Sequence, residues 1–173
     1  MTDTQIRYRP VVLTVLLVLI ADQISKWSIL GILRENGPID VLPFFNLVLV
    51  YNKGVSFGLF NHMDMRFGLI GFALLMTVFL VIWLIKEENH RTRIALAAVI
   101  AGAIGNVIDR IFHGAVIDFL DFHAFGWHYP AFNIADSSIV LGIAYLLFDS
   151  LFLEHRKKEN HAQTRDNDKE DDE

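Results

Sequence analysis

Four long apolar stretches, broken by a handful of charges, set the pattern of this chain. They cover about residues 11–33, 67–85, 94–112 and 132–153. Each approaches the roughly 20 residues that a helix needs to cross about 30 Å of hydrocarbon. A lone strand would leave its backbone N–H and C=O groups unpaired in lipid, so each stretch is predicted as a helix. The expected fold is a membrane all-α bundle of four transmembrane helices over residues 1–153. Two longer connections remain. In the first, residues 41–51 (VLPFFNLVLVY) are rich in β-branched and aromatic side chains, Asn52-Lys53-Gly54 is a turn signal, and residues 55–60 follow as a candidate second strand. A small extracytoplasmic β-sheet is expected over about residues 41–60. The second connection, about 113–131, carries Phe119, Phe122, Phe125, Trp127 and Tyr129, which suit the headgroup level of a membrane. Gly114, Gly126 and Pro130 restrict it to short pieces, a loop or short helix. Arg7 and Arg9 ahead of the first stretch resemble the start of a cleavable signal peptide. Apolar character resumes after Asp22 and Lys26 with no small-x-small site, so the stretch is read as a retained helix.

Composition sharpens this picture. The 173 residues are 53% hydrophobic with a mean hydropathy of +0.39, too apolar for an ordinary soluble domain. The net charge of −5 arises mainly in the last twenty residues. That segment, 154–173, has eight acids, five bases and no apolar period, and is expected to be a disordered cytoplasmic tail. Nothing indicates a nucleic-acid partner. The absence of cysteine excludes disulfides, thiolate metal sites and a cysteine nucleophile.

Lys and Arg orient the bundle. Ten of the fifteen (Arg7, Arg9, Lys86, Arg91, Arg93, Arg156, Lys157, Lys158, Arg165, Lys169) lie before the first span, between the second and third, or after the fourth. The other five are Lys26, Arg34, Lys53, Arg66 and Arg110. The positive-inside rule then predicts a multi-pass protein with both termini cytoplasmic. In that orientation Asp22, Lys26, Asn106, Asp109, Arg110, Asn133 and Asp136 all sit toward the outer face. Charges in hydrocarbon are expensive and mark sites by default, so this level is expected to hold one polar chamber. Asp149, near the opposite end, is expected to snorkel to the interface.

Within the chamber Asp118 and Asp136 are the favoured pair. Two adjacent carboxyls share a proton, and one then activates water while the other polarises a carbonyl. Spacing alone leaves Asp121 as a rival to Asp118. Asp22 and Lys26 are i,i+4 on one helix face, an expected internal ion pair. Asn106 and Arg110 are likewise i,i+4, and Gly102 and Gly105 permit close helix approach. An outer-end Arg110 is expected to snorkel. Asn52 with Gly54 reads first as a turn, although an Asn side chain can also bind an extended peptide. His62, His113, His123 and His128 invite a metal hypothesis, but none of the fixed ligand spacings occurs, and no metal or cofactor is expected. A different class of reading is an ion-coupled carrier with Asp22, Asp109 and Asp136 as relay groups, although the chain has no internal repeat to support it.

Five blocks together resemble one family, the bacterial lipoprotein signal peptidases (signal peptidase II). DQISK at residues 22–26 resembles its D-x-x-S-K. NKGVSFG at 52–58 resembles N-x-G-x-x-F-[GS], and AGAIGNVIDR at 101–110 resembles G-G-x-x-G-N-x-x-D-R, with Ala101 in place of the usual Gly. AVIDF at 115–119 and FNIAD at 132–136 match V-x-D-F and F-N-x-A-D. The resemblance implies an intramembrane aspartyl endopeptidase of the bacterial inner membrane, monomeric and free of cofactors. It implies removal of the signal peptide from diacylglyceryl-modified prolipoproteins, cutting N-terminal to the lipidated cysteine. It assigns catalysis to Asp118 rather than Asp121, together with Asp136. It assigns substrate positioning to Asn52, Asn106, Arg110 and Asn133, and support of the site to Asp22, Lys26, Gly54 and Asp109.

Overall fold

The computed structural model describes residues 3–54 and 65–153. Helix α1 (Asp3–Asn36) is followed by strands β1 (Ile39–Leu42) and β2 (Phe45–Asn52), then helices α2 (Arg66–Lys86) and α3 (His90–His113). Strands β3 (Val116–Ala124) and β4 (Trp127–His128) lead into α4 (Ile134–Phe148), which closes with a π-helical turn, Asp149–Leu153. Four of these segments (Tyr8–Asn36, Arg66–Lys86, His90–His113 and Ile134–Phe152) are long and apolar enough to cross a membrane. The four-helix expectation holds, with α1 and α3 extending a few residues beyond the apolar runs.

Local chemistry places the helix ends. Gly37, at φ 74°, stops α1 and returns its N–H to the Leu33 carbonyl at 3.0 Å, the left-handed closure that favours glycine. Asn89 caps α3 by accepting from the Arg91 N–H at 3.0 Å, and Gly114 ends it at φ 72°. Helix α3 is the centre of the bundle and packs on α1, α2 and α4. Small residues allow this. A methyl group at Gly102 would collide with the Ala135 carbonyl and the Ser138 hydroxyl of α4, and one at Gly142 would run into Val99. Helix α2 leans on α3 and leaves nearly all its side chains outward, with Leu84 its one buried residue. Such an all-round apolar helix suits lipid.

The sheet differs from the expectation in two ways. Residues 41–51 do not form one strand, because the chain reverses at Pro43 and Phe44 and splits the run into β1 and β2. Proline lacks the N–H that a continuing ladder needs. Residues 113–131, expected as a loop or short helix, instead supply β3 and β4, giving an antiparallel sheet in the order β1-β2-β3-β4. The aromatic and β-branched residues of VIDFLDFHA serve strand pairing there. The candidate strand at 55–60 and the tail at 154–173 lie outside the described residues. One apolar cluster joins Ile29, Leu33 and Phe119 beneath the sheet, and a second joins Val11, Leu84, Leu96, Ala97 and Ile100 farther down the bundle.

Candidate active site

A single layer of buried polar groups lies where the sheet meets α1, α3 and α4. Its lower part is built on Lys26. The ammonium lies 2.8 Å from Asp22 Oδ2 and 2.8 Å from Asp109 Oδ2, and donates to Asn106 Oδ1 at 3.3 Å. Its three donors therefore find three acceptors. The other Asp22 oxygen accepts the Ala135 N–H at 2.9 Å, in the first turn of α4, where unpaired N–H groups and the helix dipole favour a carboxylate. Asp109 Oδ2 also accepts the Ile117 N–H at 3.1 Å, tying α3 to the start of β3. Gly105 is what lets Asp22 in, since a Cβ there would lie 2.7 Å from its Oδ2. The expected Asp22–Lys26 pair is thus present, but as part of a lock that joins four elements, α1, α3, α4 and β3.

The upper part holds Asp118 and Asp136. Phe132 is stitched to β3, its carbonyl accepting the Phe119 and Leu120 N–H groups at 3.0 and 2.9 Å. This draws the start of α4 against the strand that carries Asp118. Asn133 then serves both carboxylates' segments. It caps α4 by accepting the Asp136 N–H at 2.8 Å, and its amide donates to Asp118 Oδ1 at 2.7 Å. Asn106 donates to Asp136 Oδ1 at 2.8 Å, and Asn52 donates to Asp118 Oδ2 at 2.9 Å. Asn52 is itself fixed by a turn in which its Oδ1 accepts the Gly54 N–H at 2.8 Å, with Gly54 at φ 84°. So Asn52 is both the turn and the clamp that the sequence offered as alternatives.

The two carboxylates differ in setting. Asp118 is 1% exposed and both its oxygens are engaged. Asp136 is half-buried, and no described group donates to its Oδ2. Burial, opposed by the hydrogen bonds from Asn52 and Asn133 and reinforced by the negative charge of Asp136, pushes Asp118 up to about 6. Arg110 does not snorkel away. It is half-buried, donates to the Asn106 carbonyl at 3.2 Å, and stands within Coulombic reach of Asp136, Asp109 and Asp118.

Asp121 is excluded from this layer by strand geometry. Three residues along a strand place it on the face opposite Asp118, where both its oxygens lie 2.9 Å from His128 Nδ1. His123 stacks on His128 with ring centroids 4.8 Å apart, and His113 meets the edge of Trp27. Among the described residues no three His, Asp or Glu side chains converge on a metal position; His62 lies outside them. Asp149, partly exposed near the far end of α4, accepts from Thr92 at 3.1 Å. Sequence reasoning missed Gln23, whose amide donates at 3.2 Å to both Asp22 and Asp109. Its signal was available as a polar side chain inside an apolar run. The N–H groups of Ala135 and Ile117 carried no such signal, because every residue has one.

Comparison with known proteins converges on one family. The family described as Signal peptidase (SPase) II matches residues 14–152. A lipoprotein signal peptidase of Burkholderia multivorans is 42% identical over 140 residues, covering 79% of this chain and 84% of that protein. One from Thermodesulfovibrio yellowstonii is 42% identical over 139 residues, covering 80% and 92%. A solved structure described as a bacterial membrane enzyme, determined by the in meso method at 1.9 Å, superposes with a TM-score of 0.75. It shows 30% identity and covers 82% of this chain and 92% of that one.

Proposed function

This chain belongs to the signal peptidase II family of lipoprotein-processing membrane peptidases, and we propose that it cuts by water activated between Asp118 and Asp136. The observation that carries the reading is the Asn133 bridge, one side chain that caps the segment bearing Asp136 and donates to Asp118. The pair shares one proton, held by Asp118, whose carboxyl is made reluctant to ionise by burial. Asp136, whose Oδ2 accepts from no described group, takes a proton from water as its oxygen attacks the scissile carbonyl, while Asp118 gives its proton to the carbonyl oxygen. Collapse of the resulting diol passes the Asp136 proton to the leaving nitrogen and returns one to Asp118. Bond cleavage therefore leaves the dyad as it began. Asn52, Asn106, Asn133 and Arg110 hold the peptide and orient the carboxyls. Asp22, Lys26, Gly54 and Asp109 keep that frame rigid. Asp22 and Asp109, both clamped on Lys26, suit support better than proton relay.

The substrate is the one that the family resemblance implies, and the depth of the site suits it. In the proposed orientation both termini are cytoplasmic, the site faces the outer leaflet of the bacterial inner membrane, and residues 1–153 form the peptidase unit, acting as a monomer. A cysteine bearing diacylglyceryl keeps its acyl chains in that leaflet, at about 0.8 kcal/mol per buried CH₂. Its peptide then lies at the interface, at the depth of the carboxyls, and the resemblance implies cleavage just before the modified residue. The deciding experiment incubates purified protein with a diacylglyceryl-modified precursor and its unmodified twin. Cleavage of the first alone supports the reading, and equal cleavage of both removes the lipid from it.

A further inference from the structure

The end of the sheet far from Asp118 carries an unusual surface. Two reversals meet there, the β1–β2 turn at Pro43 and Phe44 and the β3–β4 turn at Phe125 and Gly126, joined by the His123 N–H donating to the Phe44 carbonyl at 2.9 Å. Phe125 is fully exposed, Trp127 is 83% exposed, and Tyr129, Phe44 and Leu42 project from the same end. Phe125 is also the one non-glycine described residue with positive φ, at 51°. A bulky side chain in that region is strained, and such strain persists where the surroundings or a function demand it. Residues 123–131 contain no Asp, Glu, Lys or Arg.

What covers this surface is indicated by its continuity with the membrane-spanning bundle. Phe132, immediately before the α4 cap, stacks on Phe122 with centroids 5.9 Å apart and meets Tyr129 edge-on at 5.9 Å. Phe122 in turn packs on Phe45 at 4.8 Å. A run of rings thus leads from the end of a span out along the sheet to Phe45 and Tyr129, next to the two reversals that carry Phe44, Phe125 and Trp127. Rings with polar handles and no charge fit the interfacial zone of a bilayer, where an apolar body and a wet edge are both satisfied.

We propose that this distal tip, centred on Phe125 and Trp127, is an anchor that inserts into the interfacial region of the lipid leaflet beside the site. The sheet is then held to the bilayer at both ends, by α3 and α4 at one and by the tip at the other. A sheet pinned this way keeps Asp118 at a constant height relative to lipid. The inference does not depend on the catalytic assignments, only on the bundle lying in a membrane.

Two measurements on full-length protein in phosphatidylethanolamine–phosphatidylglycerol vesicles test it. The chain has three tryptophans and no cysteine. Trp27→Phe with Trp83→Phe leaves Trp127 alone, and its emission is expected to be blue-shifted, quenched by lipids brominated near the headgroup, and shielded from acrylamide. Water-like emission with full acrylamide quenching overturns the anchor. Shielding that is lost on diluting the protein among vesicles overturns it in favour of a second copy of the chain. Independently, Phe125→Cys takes a nitroxide at one position. Collisions with oxygen are expected to exceed those with a water-soluble nickel chelate, and the reverse order overturns the proposal.

Discussion

The two ends of the bundle bury charge in opposite ways. At the sheet end, Lys26, Asp22 and Asp109 are each at most 2% exposed, and each is held from at least two elements. At the other end Arg93 is 1% exposed, yet among the described residues its Nε and Nη2 find no acceptor, and the buried Tyr145 hydroxyl has no partner either. Arg93 rests instead on the face of Tyr8, 4.3 Å from the ring centroid. A fully satisfied network specifies geometry, because every member is oriented by several others. A cation over a ring specifies little beyond proximity. In the proposed mechanism, the end that must position reacting groups is the end with the satisfied network.

This contrast is open to attack, beginning with the strongest effect. Asp118→Asn and Asp136→Asn are each expected to lower turnover of a lipidated precursor by about 10²–10⁴-fold, the range for losing a positioned acid or base, while insertion and helix content stay unchanged. Substantial activity in either variant would detach the network from catalysis. Next, Lys26→Met strands two buried carboxylates, and breaking a buried pair costs about 3–5 kcal/mol. Arg93→Met removes a charge whose Nε and Nη2 have no acceptor among the described residues, so its stability is expected to change by no more than about 1 kcal/mol, lost ring contact offsetting relieved burial. Denaturant unfolding in one detergent compares the two, and equal losses erase the distinction between the ends.

A subtler effect concerns pH. With Asp118 as the proton holder, kcat/KM is expected to fall as pH rises through about 6. The Asn52 hydrogen bond favours the ionised form. Asn52→Leu should therefore raise Asp118 further and move the falling limb to higher pH by roughly one unit. A limb that stays in place, or moves down, contradicts the assignment of the proton to Asp118. The smallest effect is expected from deleting residues after Lys158, whose composition offers no apolar surface to pack. Processing of the precursor should be unchanged.

Much of the site was legible because charge in hydrocarbon is conspicuous. Asp22, Lys26, Asn106, Asp109, Arg110 and Asp136 stand out in apolar runs, and all fall in the one layer. The sheet was read less well. Residues 116–124 looked like an aromatic loop, since a strand that pairs with a distant partner has no helical or capping signal of its own. Spacing left Asp118 and Asp121 equivalent, and the three-residue step across a pleated strand separates them.

The sequence by itself determined the four spans, the level at which polar groups collect and the family, because these depend on composition and on order along the chain. Tertiary structure alone decided which polar groups of distant segments share a hydrogen bond. Asn133 reaches Asp118 only because Phe132 pairs with β3, and Asp22 reaches the start of α4 only because Gly105 leaves room for it. Apolar character is a property of each residue, whereas a hydrogen bond a few ångströms long exists only once distant segments have packed.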